Sequence, residues 1–167
     1  CTEFNAKMTD EILNRKPQTV VLVATVAQAK TNEEKIDPAL DDTVRRLTEA
    51  GIQVIGIRDN PRFEYNIYEC AQKTGSSLES CTRPADSKYA AENPAREVFE
   101  RYRRQGAIMV DLKDLYCPDG LCSPVIGNIY VYFDDNHITK TYGRTMAQEV
   151  FQRAVDGGWL IDGRVGF

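Results

Sequence analysis

The chain holds one histidine, one tryptophan and no strongly apolar run longer than Val20 to Ala27. That run is far short of the roughly 20 residues that cross a bilayer, so no membrane span is expected within the 167 residues. A basic surplus is missing too. Twenty-one Lys and Arg stand against 25 Asp and Glu, giving a formal net charge of -4 and a pI near 5.1. Binding a phosphate backbone needs a basic face, and the arginines here are scattered or confined to one helix, so nucleic acid is excluded as a partner. With one distant histidine and no second Cys-x-x-Cys, the ligand spacing of a zinc site is absent as well, and no metal is expected. No internal repeat or low-complexity stretch divides the sequence. At 42% hydrophobic content it reads as one α/β domain over residues 1–167, long enough to bury a core. It opens at Cys1 with no charged-then-apolar signal pattern after it, and so reads as a piece of something longer.

Of the five cysteines, four fall into close pairs: Cys70 with Cys81, and Cys117 with Cys122. Buried free thiols in a cytosolic protein are one reading. Two local disulfides in an oxidising compartment fit better, each closing a short loop and contributing about 2 to 3 kcal/mol. Cys1 is left over, and its partner is expected in polypeptide upstream.

Periodicity and punctuation order the elements. Thr9 to Arg15 suits a helix ended before Pro17, and Thr19 to Ala27 is an unbroken apolar run expected to form a strand buried on both faces. Asp37-Pro38 opens a helix with Ala39, Leu40, Val44, Leu47 and Ala50 on one stripe, stopped by Gly51. Ile52 to Ile57 is the next strand, ending in the polar loop Arg58-Asp-Asn-Pro-Arg-Phe63. Tyr65 to Asn93 is rich in Gly, Ser, Thr and charge, and is expected to be a surface excursion. Asn93-Pro94 starts a further helix, whose Arg101, Arg103 and Arg104 read as a solvated end. Gly106 to Asp111 and Ile129 to Phe133 are the third and fourth strands, and Thr139 to Val155 is the last helix. Strands alternating with helices predict a parallel sheet between helical layers.

The sole histidine, His137, follows Asp134 by three residues in Tyr130-Val-Tyr-Phe-Asp-Asp-Asn-His137, where an aromatic strand ends and a helix begins. In a parallel α/β protein such a loop lies at the carboxyl edge of the sheet, where ligands bind. An imidazole held by a carboxylate is the usual general base for an alcohol nucleophile. Trp159 follows Gly157-Gly158 and reads as a packing anchor, with stacking on sugar as the other reading.

Four stretches together resemble a known family: Cys117-Pro-Asp-Gly-Leu-Cys122, Val125-Ile-Gly-Asn128, Tyr130-Val-Tyr-Phe-Asp134-Asp-Asn-His137-Ile-Thr139, and Arg58-Asp-Asn-Pro-Arg62-Phe63. The chain is similar to the extracytoplasmic SGNH domain fused to acyltransferase-3-like membrane proteins that O-acylate bacterial surface glycans, in its actinobacterial form. The resemblance covers most of Cys1 to Val150. It implies a flavodoxin-like α/β/α fold and a Ser-His-Asp triad, with Asp134 orienting His137 and His137 as the base; Asp135 fits the spacing less well. It implies no cofactor. The implied partners are a membrane acyltransferase as acyl donor and a cell-envelope carbohydrate or glycolipid as acceptor, at the cell surface. Arg58, Asn60 and Arg62 are placed where a loop borders the pocket, either to bind an anionic substrate group or to shape that loop.

The departures matter equally. The family's Gly-Asp-Ser segment has no match here, and Ser76, Ser77, Ser80, Ser87 and Ser123 all fall in loops. Thr25 and Gln28 lie near where an oxyanion donor is usual, without matching it. The preferred expectation is that upstream polypeptide supplies the serine and the N-terminal strand or strands; a truncated, non-catalytic domain is the alternative. Transfer to a sugar and hydrolysis of the same ester are both open.

Overall fold

The structure, a computed structural model, describes residues 2–73, 78–161 and 164–165. Cys1, Ser76 and Ser77 lie outside the described residues. Three parallel strands form the centre: β1 (Thr19–Val23), β2 (Gln53–Ile57) and β3 (Ala107–Val110), in that spatial order. Around them run α1 (Thr2–Arg15), α2 (Leu40–Glu49), α3 (Ile67–Lys73), α4 (Arg96–Arg101), α5 (Lys113–Tyr116) and α6 (Lys140–Asp156).

Side chains alternate across the sheet, so each face collects its own core. On one face Val54 and Ala107 meet Leu40, Val44 and Leu47 of α2 and Val98 and Phe99 of α4, with Ile12 and Leu13 of α1 at the margin. On the other, Ile55, Ile108 and Val110 meet Tyr142, Met146 and Ala154 of α6. The result is the helix-sheet-helix layering of an α/β domain. Local chemistry sets the helix starts. Asp37 accepts the Ala39 N–H through Oδ1 and the Leu40 N–H through its carbonyl, and Thr139 Oγ1 accepts the Tyr142 N–H at the head of α6. Beyond α2 the chain turns at Gly51 with φ of +77°.

The expected strand from Thr19 to Ala27 is shorter, and it is not buried on both faces. Val21 and Val23 are 60% and 63% exposed. Val20 and Leu22 pack with the α1 and α2 side of the core, Val21 and Val23 on the opposite face are open to solvent, and the outer edge of β1 has no strand partner among the described residues. An unbroken apolar run reports a strand that avoids water; it does not report whether the covering elements belong to the same chain.

Two further expectations are corrected. The stretch from Tyr65 to Asn93 is not a surface excursion: Ile67, Cys81, Ala85 and Tyr89 are at most 3% exposed and belong to the larger core. The Cys70–Cys81 disulfide folds the segment back, and Arg83–Pro84 pairs antiparallel with Leu121–Cys122, whose cysteine is bonded to Cys117. Polar composition hid a segment that packs through a few apolar anchors. Ile129 to Phe133 is likewise not a fourth parallel strand. Gly127 and Asn128 both take positive φ (56° and 64°), the signature of a tight hairpin, and Val125–Ile126 pairs antiparallel with Ile129–Tyr130. Tyr132 then bridges Ile138. α1 is longer than the expected Thr9 to Arg15 helix. Trp159 stacks edge-on against Phe151 and donates from Nε1 to Thr19 Oγ1 at 3.0 Å, tying the end of α6 to the start of β1. No helix among the described residues is long and apolar enough to cross a membrane.

Gly56 sits in the middle of the central strand because Phe99 lies flat over it. A β-carbon there would come within 2.1 Å of the Phe99 ring. Gly56→Ala is therefore expected to lower stability by about 1 to 3 kcal/mol through overpacking, measured as a drop in the urea unfolding midpoint.

Candidate active site

The carboxyl ends of the three strands open onto one edge. There the loop after β1 (24–28), the loop after β2 (58–63), Asp111 after β3 and the loop 134–137 converge.

The last of these is built around one carboxylate. Asp134 Oδ1 accepts the backbone N–H groups of Asn136 (2.9 Å) and His137 (2.7 Å), while Oδ2 lies 2.7 Å from His137 Nδ1. The same side chain thus closes the turn and fixes the imidazole. Phe133 N–H donates to the His137 carbonyl across the mouth of the loop, and their rings lie nearly parallel, with centroids 5.4 Å apart. Some desolvation pushes the Asp134 carboxyl up, but the two amide donors and the imidazole outweigh it and hold the group below its ordinary value. The His137 side chain is 64% exposed. Its Nε2 has no hydrogen-bond partner among the described residues. Asp135 uses its carbonyl instead, accepting the Phe63 N–H at 2.9 Å.

That contact and a second one lace this loop to the loop after β2. Asn60 Nδ2 donates to the Asn136 carbonyl at 2.6 Å and to the Pro61 carbonyl at 3.2 Å, and Phe63 packs edge-on against Tyr132 at 5.2 Å. Asn60 is thus tied to the loop that carries the acid–imidazole pair.

Arg58 does not border an open pocket. It is 3% exposed, and all three guanidinium nitrogens donate inward: to both carboxylate oxygens of Glu34, to Asp111 Oδ2 at 2.9 Å and to the Ala90 carbonyl at 2.9 Å. Its carbon Cζ lies 4.7 Å from the centre of the Tyr89 ring. Of the two roles open to Arg58 in the sequence, shaping the loop is the one this geometry supports. Arg62 lies two residues beyond Asn60, with its Nε buried and without a hydrogen-bond partner among the described residues; its carbonyl accepts Lys88 Nζ at 3.2 Å.

Several residues at this edge were missed by sequence reasoning. The Glu34 side chain is fully buried; besides Arg58 it takes hydrogen bonds from Thr25 Oγ1 and the Ala90 N–H. Thr25 Oγ1 accepts the Asp59 N–H, and Asp59 Oδ2 accepts the Ala27 N–H. Burial raises the Asp59 carboxyl, against the pull of those amide donors. Lys88, 6% exposed, spans the Ala29 and Arg62 carbonyls, and burial lowers its ammonium. Thr25 and Asp59 lay in stretches the sequence had pointed to, but Glu34 and Lys88 carried no signal: Glu34 sits in a charged stretch without periodicity, and Lys88 lies in the polar stretch read as surface.

Among the described residues no serine hydrogen-bonds to the imidazole. Ser87 Oγ donates to the Pro84 carbonyl and Ser123 Oγ accepts the Val125 N–H, both away from the imidazole.

A parallel α/β sheet with an acid–imidazole pair looped at the strand carboxyl ends has the layout of hydrolases and acyltransferases that use an alcohol nucleophile. The model of the family described as the SGNH domain fused to AT3 domains matches residues 1–152, and the chain belongs to that family. No curated protein and no solved structure gives a significant match. Membership carries acyltransferase or esterase chemistry of the general SGNH type and, through the AT3 fusion, a membrane acyltransferase as partner. The two disulfides fit an extracellular setting.

Because the Asp134 carboxyl is held low, its clamp is present at every pH above the ordinary carboxylate range and is lost only as the pH falls through the depressed value. Amide exchange at Asn136 and His137, measured by NMR down the acid limb, is expected to stay protected as the pH falls through the ordinary carboxylate range in the native chain and to be lost only below it. In Asp134→Asn that protection is expected to be weakened at all pH values.

Proposed function

We propose that this chain is the greater part of an extracytoplasmic O-acyltransferase domain that moves a short acyl group, acetyl above all, onto a hydroxyl of a cell-envelope carbohydrate or glycolipid. The observation that carries this reading is the pairing of two incomplete features at one sheet. Among the described residues, Asp134 and His137 form an acid–base couple whose Nε2 has no partner and whose ring is open to solvent, while β1 offers an unpaired edge beside the exposed Val21 and Val23.

The proposal joins the two. Upstream polypeptide adds a strand along β1 and presents a serine at the same carboxyl edge. His137 Nε2 takes the serine proton as Oγ attacks the acyl carbonyl carbon. The bond from the acyl carbon to the donor breaks, and the donor oxygen leaves with the proton. An acceptor hydroxyl then attacks the acyl-serine, giving its proton to Nε2, and the proton returns to the serine Oγ as that ester bond breaks. Asp134 holds the imidazole in the tautomer with Nδ1 protonated and stabilises its cation. Asn60 and Arg62 serve the substrate side of the loop, and Arg58 holds its frame. The scheme uses no cofactor. The membrane acyltransferase domain delivers the acyl group, and the domain stays tethered to the membrane through it.

An unpaired edge with exposed valines on a parallel sheet is costly and prone to association unless something covers it. A strand added in cis satisfies both the amide groups and the apolar side chains. This is the physical support for placing the nucleophile outside the 167 residues.

The test uses the full-length protein with an activated acyl ester and oligosaccharide acceptors, with mass spectrometry of the sugar. Acylated sugar and faster donor turnover on adding acceptor are expected; release of free acid alone would make the domain an esterase. His137→Ala should lower turnover by about 10³-fold or more with an unchanged circular dichroism spectrum. Near-normal turnover in that variant would refute the assignment of the base. If no serine in the full-length protein reacts with a serine-directed acylating probe, the domain is a non-catalytic module.

A further inference from the structure

We infer that Phe133 is a positioning residue for the base: its ring face carries the imidazole and favours the cation that His137 becomes during acyl transfer. This rests on the catalytic reading above.

Little holds the imidazole in place. Its side chain is 64% exposed, and among the described residues the ring bonds to Asp134 alone and stacks on Phe133 alone. One hydrogen bond at Nδ1 fixes a point on the ring without fixing the plane. A second contact is needed to set the plane, and therefore the direction in which Nε2 points. Phe133 supplies it: the two rings form an offset stack, inclined by only 18° with centroids 5.4 Å apart, within the roughly 6 Å reach of a cation to an aromatic ring. The backbone enforces the match, because the Phe133 N–H donates to the His137 carbonyl and brackets the loop at its two ends.

Burial does not explain why the chain keeps this aromatic here. Phe133 is 54% exposed, in contrast to the neighbouring Val131 and Tyr132, which are fully buried. A core-packing role would draw the ring inward. Its place is on the imidazole.

The electrostatics gives the direction of the effect. The negative face of a benzene ring attracts imidazolium more than neutral imidazole, so the interaction strengthens as the serine or acceptor proton arrives at Nε2. The carboxylates within the loop act in the same sense: Asp134 is hydrogen-bonded to the ring, and Asp135 is adjacent in the chain. An interaction stronger in the transition state than in the ground state raises kcat and leaves KM nearly unchanged.

The test compares Phe133→Leu, which keeps an apolar side chain and removes the aromatic face, with Phe133→Tyr and Phe133→Trp, which retain it. Because the chain has a single histidine, its ring protons can be assigned in this chain by NMR without ambiguity. In the parent chain they are expected to show an upfield ring-current shift that disappears in Phe133→Leu and persists in the Tyr and Trp variants. In the full-length protein, Phe133→Leu is expected to lower kcat about two- to five-fold at constant KM, with the Tyr and Trp variants near the parent value. Unshifted imidazole protons in the parent chain, or an unchanged kcat in Phe133→Leu, would overturn the role. A parent protein that shows the ring-current shift but turns over no acyl ester would overturn the catalytic reading and this role with it, and is distinguishable from a failure of the stacking alone.

Discussion

The edge that carries the site depends on one buried charge pair. Glu34 and Arg58 are withdrawn from water almost completely, and such a pair is tolerated only when its remaining donors and acceptors are matched. Here they are. Asp111 and the Ala90 carbonyl take the other guanidinium donors, and Thr25 and the Ala90 amide complete the carboxylate. The residues tied together come from the loop after β1, the loop after β2, the end of β3 and the disulfide-linked segment. The pair therefore gives the edge a fixed shape more than it gives the fold net stability. Removing either partner would leave an uncompensated charge inside, which is far costlier than the pair is worth. Lys88 works at the same junction with a lighter touch, bridging two backbone carbonyls.

From that frame the arrangement passes outward. Asn60 and Phe63 rise from the loop after β2 and hold the loop 134–137 by its carbonyls; Asp134 then organises that loop from inside, and the imidazole comes last, fixed at one nitrogen and one face. Rigidity thus decreases from the buried ion pair to the solvent-facing Nε2.

Much of this was legible in the sequence where a residue's role depends on its neighbours along the chain. The α2 stripe, the Asp37 start signal, the cysteine pairs and the Asp134–His137 spacing are all local and were readable. What depended on distant partners was not. Arg58 could be placed on a loop but not turned inward, because Glu34 lies 24 residues away in a charged stretch without pattern. The stretch around Tyr89 looked like surface because two disulfides and a cation above an aromatic ring do the work that apolar periodicity does elsewhere. The aromatic run from Ile129 looked like a sheet strand because its length and composition suit one; the Gly127-Asn128 turn commits it to a hairpin instead.

The free edge of β1 also bears on the order in which the molecule assembles. Ribosomal synthesis runs from the amino end, so any strand encoded upstream would already be waiting when β1 emerges, and pairing could begin before β2 and β3 exist. These 167 residues made alone would offer that edge to a second copy, and pairing of β1 with its twin would use the same backbone groups on both molecules and close at a dimer.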